Sequence, residues 1–131
     1  TPLPMTVKIR LGVSDTKINA HRVVDGLVKS GVAAITVHGR TMEQRYTRPA
    51  DWNIISDIAR TAGVPIIGNG DILTWFEAED RFIDSNQGLH TVSNGQRSGV
   101  TAMMAGRGAL IKPWLFKEWA DKKSHFPSAE E

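Results

Sequence analysis

Thr6-Val7-Lys8-Ile9-Arg10-Leu11 alternates apolar and polar residues. That is the two-residue period of a β-strand, with Val7, Ile9 and Leu11 on one face and Lys8 and Arg10 on the other. Three more short apolar runs follow, Val32–Val37, Val64–Ile67 and Val100–Met104, each separated from the next by a segment of helical period. Strand, polar loop and helix thus recur four times, and Val/Ile-rich strands joined through helices predict a parallel sheet. Two architectures fit: an open, flavodoxin-like sheet, or half of a (β/α)8 barrel, whose full circuit takes ~250 residues. Lys8 and Arg10 separate them. An open sheet covered on both faces buries that pair under helices. A barrel turns one face inward, where cations near the C-terminal mouth can meet a ligand. His38 and Arg40 continue the face of Thr36 in the same way. The reading is an α/β chain of about four βα units, half of a (β/α)8 barrel with parallel strands.

The helices carry their own punctuation. Ser14 and Asp15 are placed to cap the first, which runs to about Ser30 with Ile18, Val23, Val24, Leu27 and Val28 at helical spacing and Gly31 beyond its end. Asp51 caps the second, whose stripe is Ile54, Ile55, Ile58 and Ala62. Thr74 and Glu77 form a capping-box pattern for the third, which extends to about Ile83. Ser85–Ser98 is polar and reads as a loop or insertion of ~14 residues. Pro113 suits the first position of a final helix carrying Trp114, Leu115, Phe116 and Trp119, which read as packing residues. Asp51-Trp52 reads as a helix start with a packing anchor, outside any site. The expected organisation is a barrel piece over 1–123, with a polar insertion near 84–98, and a flexible tail over 124–131.

Composition narrows the classes. With 131 residues, 40% apolar and 23% charged, the chain is ordinary for a globular protein with one core. No apolar run approaches the ~20 residues of a membrane span, and Thr1-Pro-Leu-Pro lacks the features of a signal peptide. The chain has no cysteine, which excludes disulfides, thiolate metal sites and a cysteine nucleophile within it. A net charge of +2 permits nucleic-acid binding without arguing for it.

Chemistry is expected at the strand ends. Val64–Ile72 ends an apolar run in Gly68-Asn69-Gly70-Asp71, a turn with backbone N–H groups and glycines suited to close approach of an anion such as phosphate. Gly106-Arg107-Gly108 ends the fourth strand similarly. If the four units are the C-terminal half, these turns follow barrel strands seven and eight, a frequent phosphate site. Neither completes a dinucleotide fingerprint, since position 111 is Ile, and no Walker lysine pattern occurs. His38, at the end of the second strand, can hydrogen-bond a ligand; no second ligand lies at metal-binding spacing. Lys8 and Arg10 either project into a barrel mouth or mark an exposed edge strand. Arg40, Arg45, Arg48 and Tyr46 crowd the second loop, where cations beside an aromatic suit phosphates and stacked bases, or form a solvated surface.

Taken together, Val-Lys-Ile-Arg at 7–10, Val-His-Gly-Arg-Thr at 37–41, Tyr46, Ala-Asp-Trp at 50–52, Gly-Asn-Gly-Asp-Ile at 68–72, Gly-Arg-Gly-Ala-Leu at 106–110 and Lys-Pro-Trp-Leu-Phe at 112–116 resemble the tRNA-dihydrouridine synthases, and most the eukaryotic branch acting at tRNA position 47. The resemblance covers nearly the whole chain and matches the C-terminal half of that family's catalytic barrel. It implies an FMN-dependent oxidoreductase that reduces the C5–C6 bond of a tRNA uridine with NADPH as electron donor. It implies Lys8, His38, Asn69, Gly70, Asp71, Gly106 and Arg107 as cofactor-binding residues. Arg10, Arg40, Arg45 and Tyr46 are the expected substrate-binding residues. It also implies tRNA as partner, no membrane association, and a cytoplasmic location with the nucleus as a second. In that family the proton donor is a cysteine in the barrel's first half. This chain has no cysteine and no counterpart of the first four strands, the zinc-finger segment or most of the helical tRNA-binding domain. The resemblance therefore implies no catalytic residue here, inactivity of the chain alone, and either a complementary N-terminal half-barrel or self-association. Another phosphate-binding barrel enzyme, a lyase or isomerase, and a non-catalytic half-barrel are the other readings. The polar insertion departs from a shorter family connection and is expected to disturb the last helix–strand contact.

Overall fold

A computed structural model describes residues 3–86 and 99–128. Four strands, β1 (Thr6–Arg10), β2 (Ala34–His38), β3 (Ile66–Asn69) and β4 (Ala102–Met104), form one sheet in the order β1-β2-β3-β4, every pair parallel. Between them run α1 (Ala20–Lys29), α2 (Trp52–Thr61) and α3 (Trp75–Asn86); α4 (Arg107–Ile111) and α5 (Leu115–Asp121) follow. The strictly sequential order decides between the two architectures. A flavodoxin-like sheet reverses direction at a switch point, which sends helices to both faces. Right-handed crossovers that always step the same way put every helix on one face. The chain is four successive βα units of a (β/α)8 wall.

Burial follows that asymmetry. Ile35, Val37 and Ile66 are fully buried on the helix side, with Ile55, Ile58, Val24 and Val100 in the same core. The opposite face carries two rows set by register. Lys8, Thr36, Ile67 and Ala102 form the lower row; Arg10, His38, Asn69 and Met104 form the row at the C-terminal ends. Lys8 and Arg10 are exposed on this face while Val7 and Ile9 pack toward the core. The alternation read from Thr6–Leu11 is thus the alternation between helix side and inner side.

Several local readings hold. Asp51 accepts from the N–H groups of Asn53 and Ile54 and caps α2. Thr74 Oγ1 accepts from the Glu77 N–H at 3.2 Å while Glu77 Oε2 accepts from the Thr74 N–H at 2.9 Å, a reciprocal capping box. Gly31 takes a positive φ of 82° just past the end of α1.

Others are corrected. Ser14 and Asp15 do not cap α1, which begins at Ala20 behind Asn19. The preceding segment is occupied instead by a bridge between Gly12 and Ile18, and Asp15 reaches across to Gln44 and Arg48. Pro113 does not take the first position of the expected final helix, which is α5 and begins two residues later, at Leu115. It lacks an N–H and holds Lys112 extended at φ −129°, ψ 86°, so the chain breaks into α4 and α5 with Trp114 at the α5 N-cap. Residues 84–86 belong to α3, not to an insertion; the rest of that segment, 87–98, lies outside the described residues. The α3–β4 contact is intact. Beside it, Asn86 Nδ2, at the end of α3, lies 3.4 Å from Val100 O, two residues before β4.

The start of the expected tail is tied down. Ser124 Oγ lies 3.3 Å from Trp75 Nε1, and the His125 N–H donates to Glu118 Oε1 at 2.8 Å. Glu118 is fully buried and also receives Lys112 Nζ at 2.8 Å. The lysine hydrogen bond, then the His125 N–H, hold its carboxyl below the usual range against the opposing effect of burial.

Gly68 serves the fold in a way its sequence context does not suggest. It faces the helix side, and a Cβ there would stand 2.5 Å from Cζ3 of Trp52. The glycine makes room for the indole rather than for a ligand.

Candidate functional site

The four strands deliver their C-terminal residues to one open cleft of about 180 Å³. Lys8, Arg10, His38, Arg40, Tyr46, Asn69, Gly70, Asp71, Gly106 and Arg107 all line it. Arg45 does not; it is exposed, with a positive φ of 46°. Gly108, of the expected Gly106-Arg107-Gly108 turn, lines it too, while sequence reasoning missed Leu73, Met104 and Ala105, and did not single out Ile72, which complete the wall. Met104 was findable, because strand alternation puts it in the same inward row as Asn69.

On the floor, Arg10 Nη1 donates to Thr41 O at 3.0 Å, which fixes the guanidinium beside the second loop. Asn69 spends its amide on Met104 O at 2.7 Å, joining β3 to the end of β4. His38 is nearly buried between cations. Burial first, then the charges of Arg10, Arg40 and Lys8, push its imidazole down to about 4, with Asp71 opposing. At neutral pH the ring is uncharged: one nitrogen donates and the other accepts.

The rim is organised by Asp71. Its Oδ1 receives Arg40 Nη2 at 2.6 Å and lies 3.4 Å from Arg107 Nη2; its Oδ2 accepts from the Ala50 N–H at 2.6 Å. Burial would raise this carboxyl, but the Ala50 N–H together with Arg40 and Arg107 outweighs it and holds the group below its ordinary range. Asp71 has φ 53°, a left-handed conformation that Asp tolerates better than most residues. Arg40 is 3% exposed, and its Nε donates to Arg48 O at 2.5 Å. Its Nη1 is buried without a hydrogen-bond partner. Tyr46 lies over both guanidinium groups, its ring centre 4.0 Å from Cζ of Arg107 and 5.6 Å from Cζ of Arg40.

The turn itself is braced from outside by Ala50-Asp51-Trp52. Trp52 Nε1 donates to Gly70 O at 3.0 Å, the Asp51 N–H to Gly39 O at 2.6 Å, and the Gly39 N–H to Asn69 O at 3.0 Å. Trp52 is a packing anchor, as its sequence suggests, and it also supports the site. Gly70 has φ 132°, and a Cβ there would stand 2.5 Å from Ala50 Cβ. The Gly106 position is open, with no heavy atom within 4 Å of an added Cβ. Among the described residues no group of His, Asp and Glu side chains could hold a metal, and no helix is long and apolar enough to cross a membrane.

A concave, cation-rich, strand-end cleft of this kind suits an anionic ligand. Residues 1–130 match the family model described as dihydrouridine synthase (Dus). A Homo sapiens protein named as a tRNA-dihydrouridine(47) synthase-like protein, with NAD(P)(+) in its name, is 44% identical over 122 residues, covering 92% of this chain and 17% of the human one. A Xenopus tropicalis protein of the same name is 44% identical over 123 residues, with the same coverage. A Cryptococcus neoformans tRNA-dihydrouridine(47) synthase is 39% identical over 140 residues, covering 98% of this chain and 18% of its own length. The chain thus spans under one fifth of the length of each of these three relatives. The match along its whole length, joined to the barrel-wall topology, places the chain in the dihydrouridine synthase family.

Proposed function

We propose that this chain forms the FMN-holding wall of a tRNA-dihydrouridine synthase that uses NADPH as electron donor and reduces a uridine at tRNA position 47. The observation that carries this reading is the convergence of Lys8, Arg10, His38, Asn69 and Arg107, from four strand ends, on one cleft. The donor set fits a flavin phosphate. Arg107 is half exposed beside the unobstructed Gly106 position, and Arg40 keeps a buried N–H-bearing nitrogen without a partner. In this reading Lys8, His38, Gly70, Gly106 and Arg107 hold FMN, with Asn69 supporting the turn. Arg10 and Tyr46 face the uridine and its flanking phosphates, Arg40 stands beside Arg107 toward the flavin phosphate, and Arg45 lies on the outer rim.

Reduced FMN, when bound, supplies the hydride for the C5–C6 double bond of uracil. The residues of this chain bind and orient. Lys8 and Arg10 stand two residues apart on the inward face and offer cationic donors to carbonyl oxygens. His38 stays neutral near pH 7 and donates a hydrogen bond without acting as the acid. The proton for the second uracil carbon comes from a cysteine on the complementary half of the barrel. Because a uridine within folded tRNA must leave its stack to enter such a cleft, Tyr46 is placed to receive a base face.

The test is reconstitution. The chain is expected to quench FMN fluorescence on binding. Mixed with the cysteine-bearing barrel half and NADPH, it should form dihydrouridine in tRNA. Flavin binding without tRNA reduction in the reconstituted enzyme would remove the substrate assignment; no flavin binding in either form would remove the cofactor as well.

A further inference from the structure

We infer that Asp71 is a positioning residue: its carboxylate locks Arg40, from the loop after β2, and Arg107, at the start of α4, into a paired-guanidinium seat for a phosphate group. The inference deepens the reading of the cleft above and rests on it for the identity of the ligand, not for the existence of the seat. Among the described residues, Asp71 is the only carboxylate lining a cleft that also holds Lys8, Arg10, Arg40 and Arg107. A carboxylate meant to meet a phosphate there would repel it. Its oxygens are instead turned onto protein donors: Oδ1 onto both guanidinium groups and Oδ2 onto the Ala50 N–H. The acid therefore acts through the cations.

Arg40 supplies an independent observation. Its guanidinium is held on two sides, by Arg48 O through Nε and by Asp71 through Nη2. That leaves Nη1, buried and without a partner, on a residue that lines the cleft. A buried N–H-bearing group left unpaired is costly, so a ligand acceptor at this place gains what the free protein forgoes. Tyr46 roofs both cations, and Arg107 sits against its ring. A ligand phosphate would thus meet one rigid guanidinium and one exposed guanidinium, held side by side by a single acid.

The experiment titrates the wild-type chain, Asp71→Asn, Arg40→Lys and the double variant with FMN, riboflavin and inorganic pyrophosphate. Riboflavin lacks the phosphate and serves as the control for general damage. Asp71→Asn is expected to weaken FMN and pyrophosphate by about tenfold or more, the scale of one charge-assisted hydrogen bond, and to leave riboflavin nearly unchanged. Arg40→Lys keeps the charge but cannot serve Asp71, Arg48 and a ligand together, so it is expected to match Asp71→Asn. The double variant should bind no worse than the weaker single, because both break one assembly. If Asp71→Asn does not fold, Asp71→Glu keeps the charge, lengthens the arm and should lose the same preference for FMN over riboflavin. Losses that multiply in the double variant, or that strike riboflavin equally, would overturn the positioning role. Pyrophosphate binding that depends on Asp71 with no FMN binding would remove the flavin reading and leave the seat standing. A wild-type chain that binds neither anion would overturn the seat.

Discussion

Replacing Gly68 with alanine sets two physical effects against each other with opposite signs. In a strand, alanine ordinarily gains about 0.5–1 kcal/mol over glycine, because the unfolded chain has less freedom to lose. Gly68 is not among the glycines with positive φ, so its backbone gives no reason to forbid a side chain. Packing says otherwise. The new Cβ would lie 2.5 Å from Cζ3 and 2.7 Å from Cη2 of Trp52, and 3.4 Å from a Val100 methyl. The indole has no free path away: it is 7% exposed, and its Nε1 donates to Gly70 O at 3.0 Å. Overpacking of this kind costs about 1–3 kcal/mol, and pulling the indole off Gly70 O strands a buried donor and acceptor at a similar cost. Net destabilisation of roughly 2–4 kcal/mol is expected after the backbone gain is subtracted. Urea unfolding followed by tryptophan fluorescence measures it. Trp52→Phe in the same chain removes the clashing atoms and should recover part of the loss. If Gly68→Ala proves as stable as wild type, Trp52 is not seated as described, and the bracing of the Gly70–Asp71 turn falls with it.

Asp51→Ala removes two hydrogen bonds from the α2 cap and is expected to cost about 0.5–2 kcal/mol by chemical denaturation. Stability is expected to decline as pH falls from about 6.5 toward 4. In that window unfolded histidine binds a proton that buried His38 refuses, so the unfolded state gains protons first. The effect is up to about 3 kcal/mol, and His38→Asn should flatten that part of the profile in a pH series of melts. Among the described strands β1 and β4 each pair on one side only, so sedimentation should show concentration-dependent association of this chain; a monomer with a cooperative melt at every concentration would contradict it.

The inward face was legible because charge inside a strand has few structural explanations. Lys8 and Arg10 interrupt Val7, Ile9 and Leu11 with a strict period of two, and a sheet covered on both sides cannot hold them. The loops were less legible, because their chemistry depends on distant partners. Ser14 and Asp15 look like helix caps, but Asp15 finds Gln44 and Arg48, 29 and 33 residues away, and the helix starts later. Pro113 carries a local signal for a helix start that is also a signal for a break, and the extended Lys112 settled which applied. Gly68 and Gly70 read alike in sequence. They differ only because one faces Trp52 and the other turns the chain with φ 132°. Trp52 was read as packing and kept out of the site, yet packing is how it supports Gly70.

The charge pattern of the cleft favours a binding wall over a complete catalytic centre. Among the described residues four cations and one carboxylate line it, and the carboxylate is spent on two of the cations and a backbone N–H. His38, the histidine of the cleft, is kept neutral by burial and by the same cations. An acid poised near neutral pH would need the opposite surroundings, a nearby negative charge or shielding from Arg10 and Arg40. The residues that make this face good at holding a phosphate and a polarised ring also keep His38 from carrying a proton that it could deliver near neutral pH. Under the proposed function, the division between a cofactor wall here and a proton donor on the facing half of the barrel is then an electrostatic separation. Each group keeps the protonation state its task requires because the two are not crowded into one site.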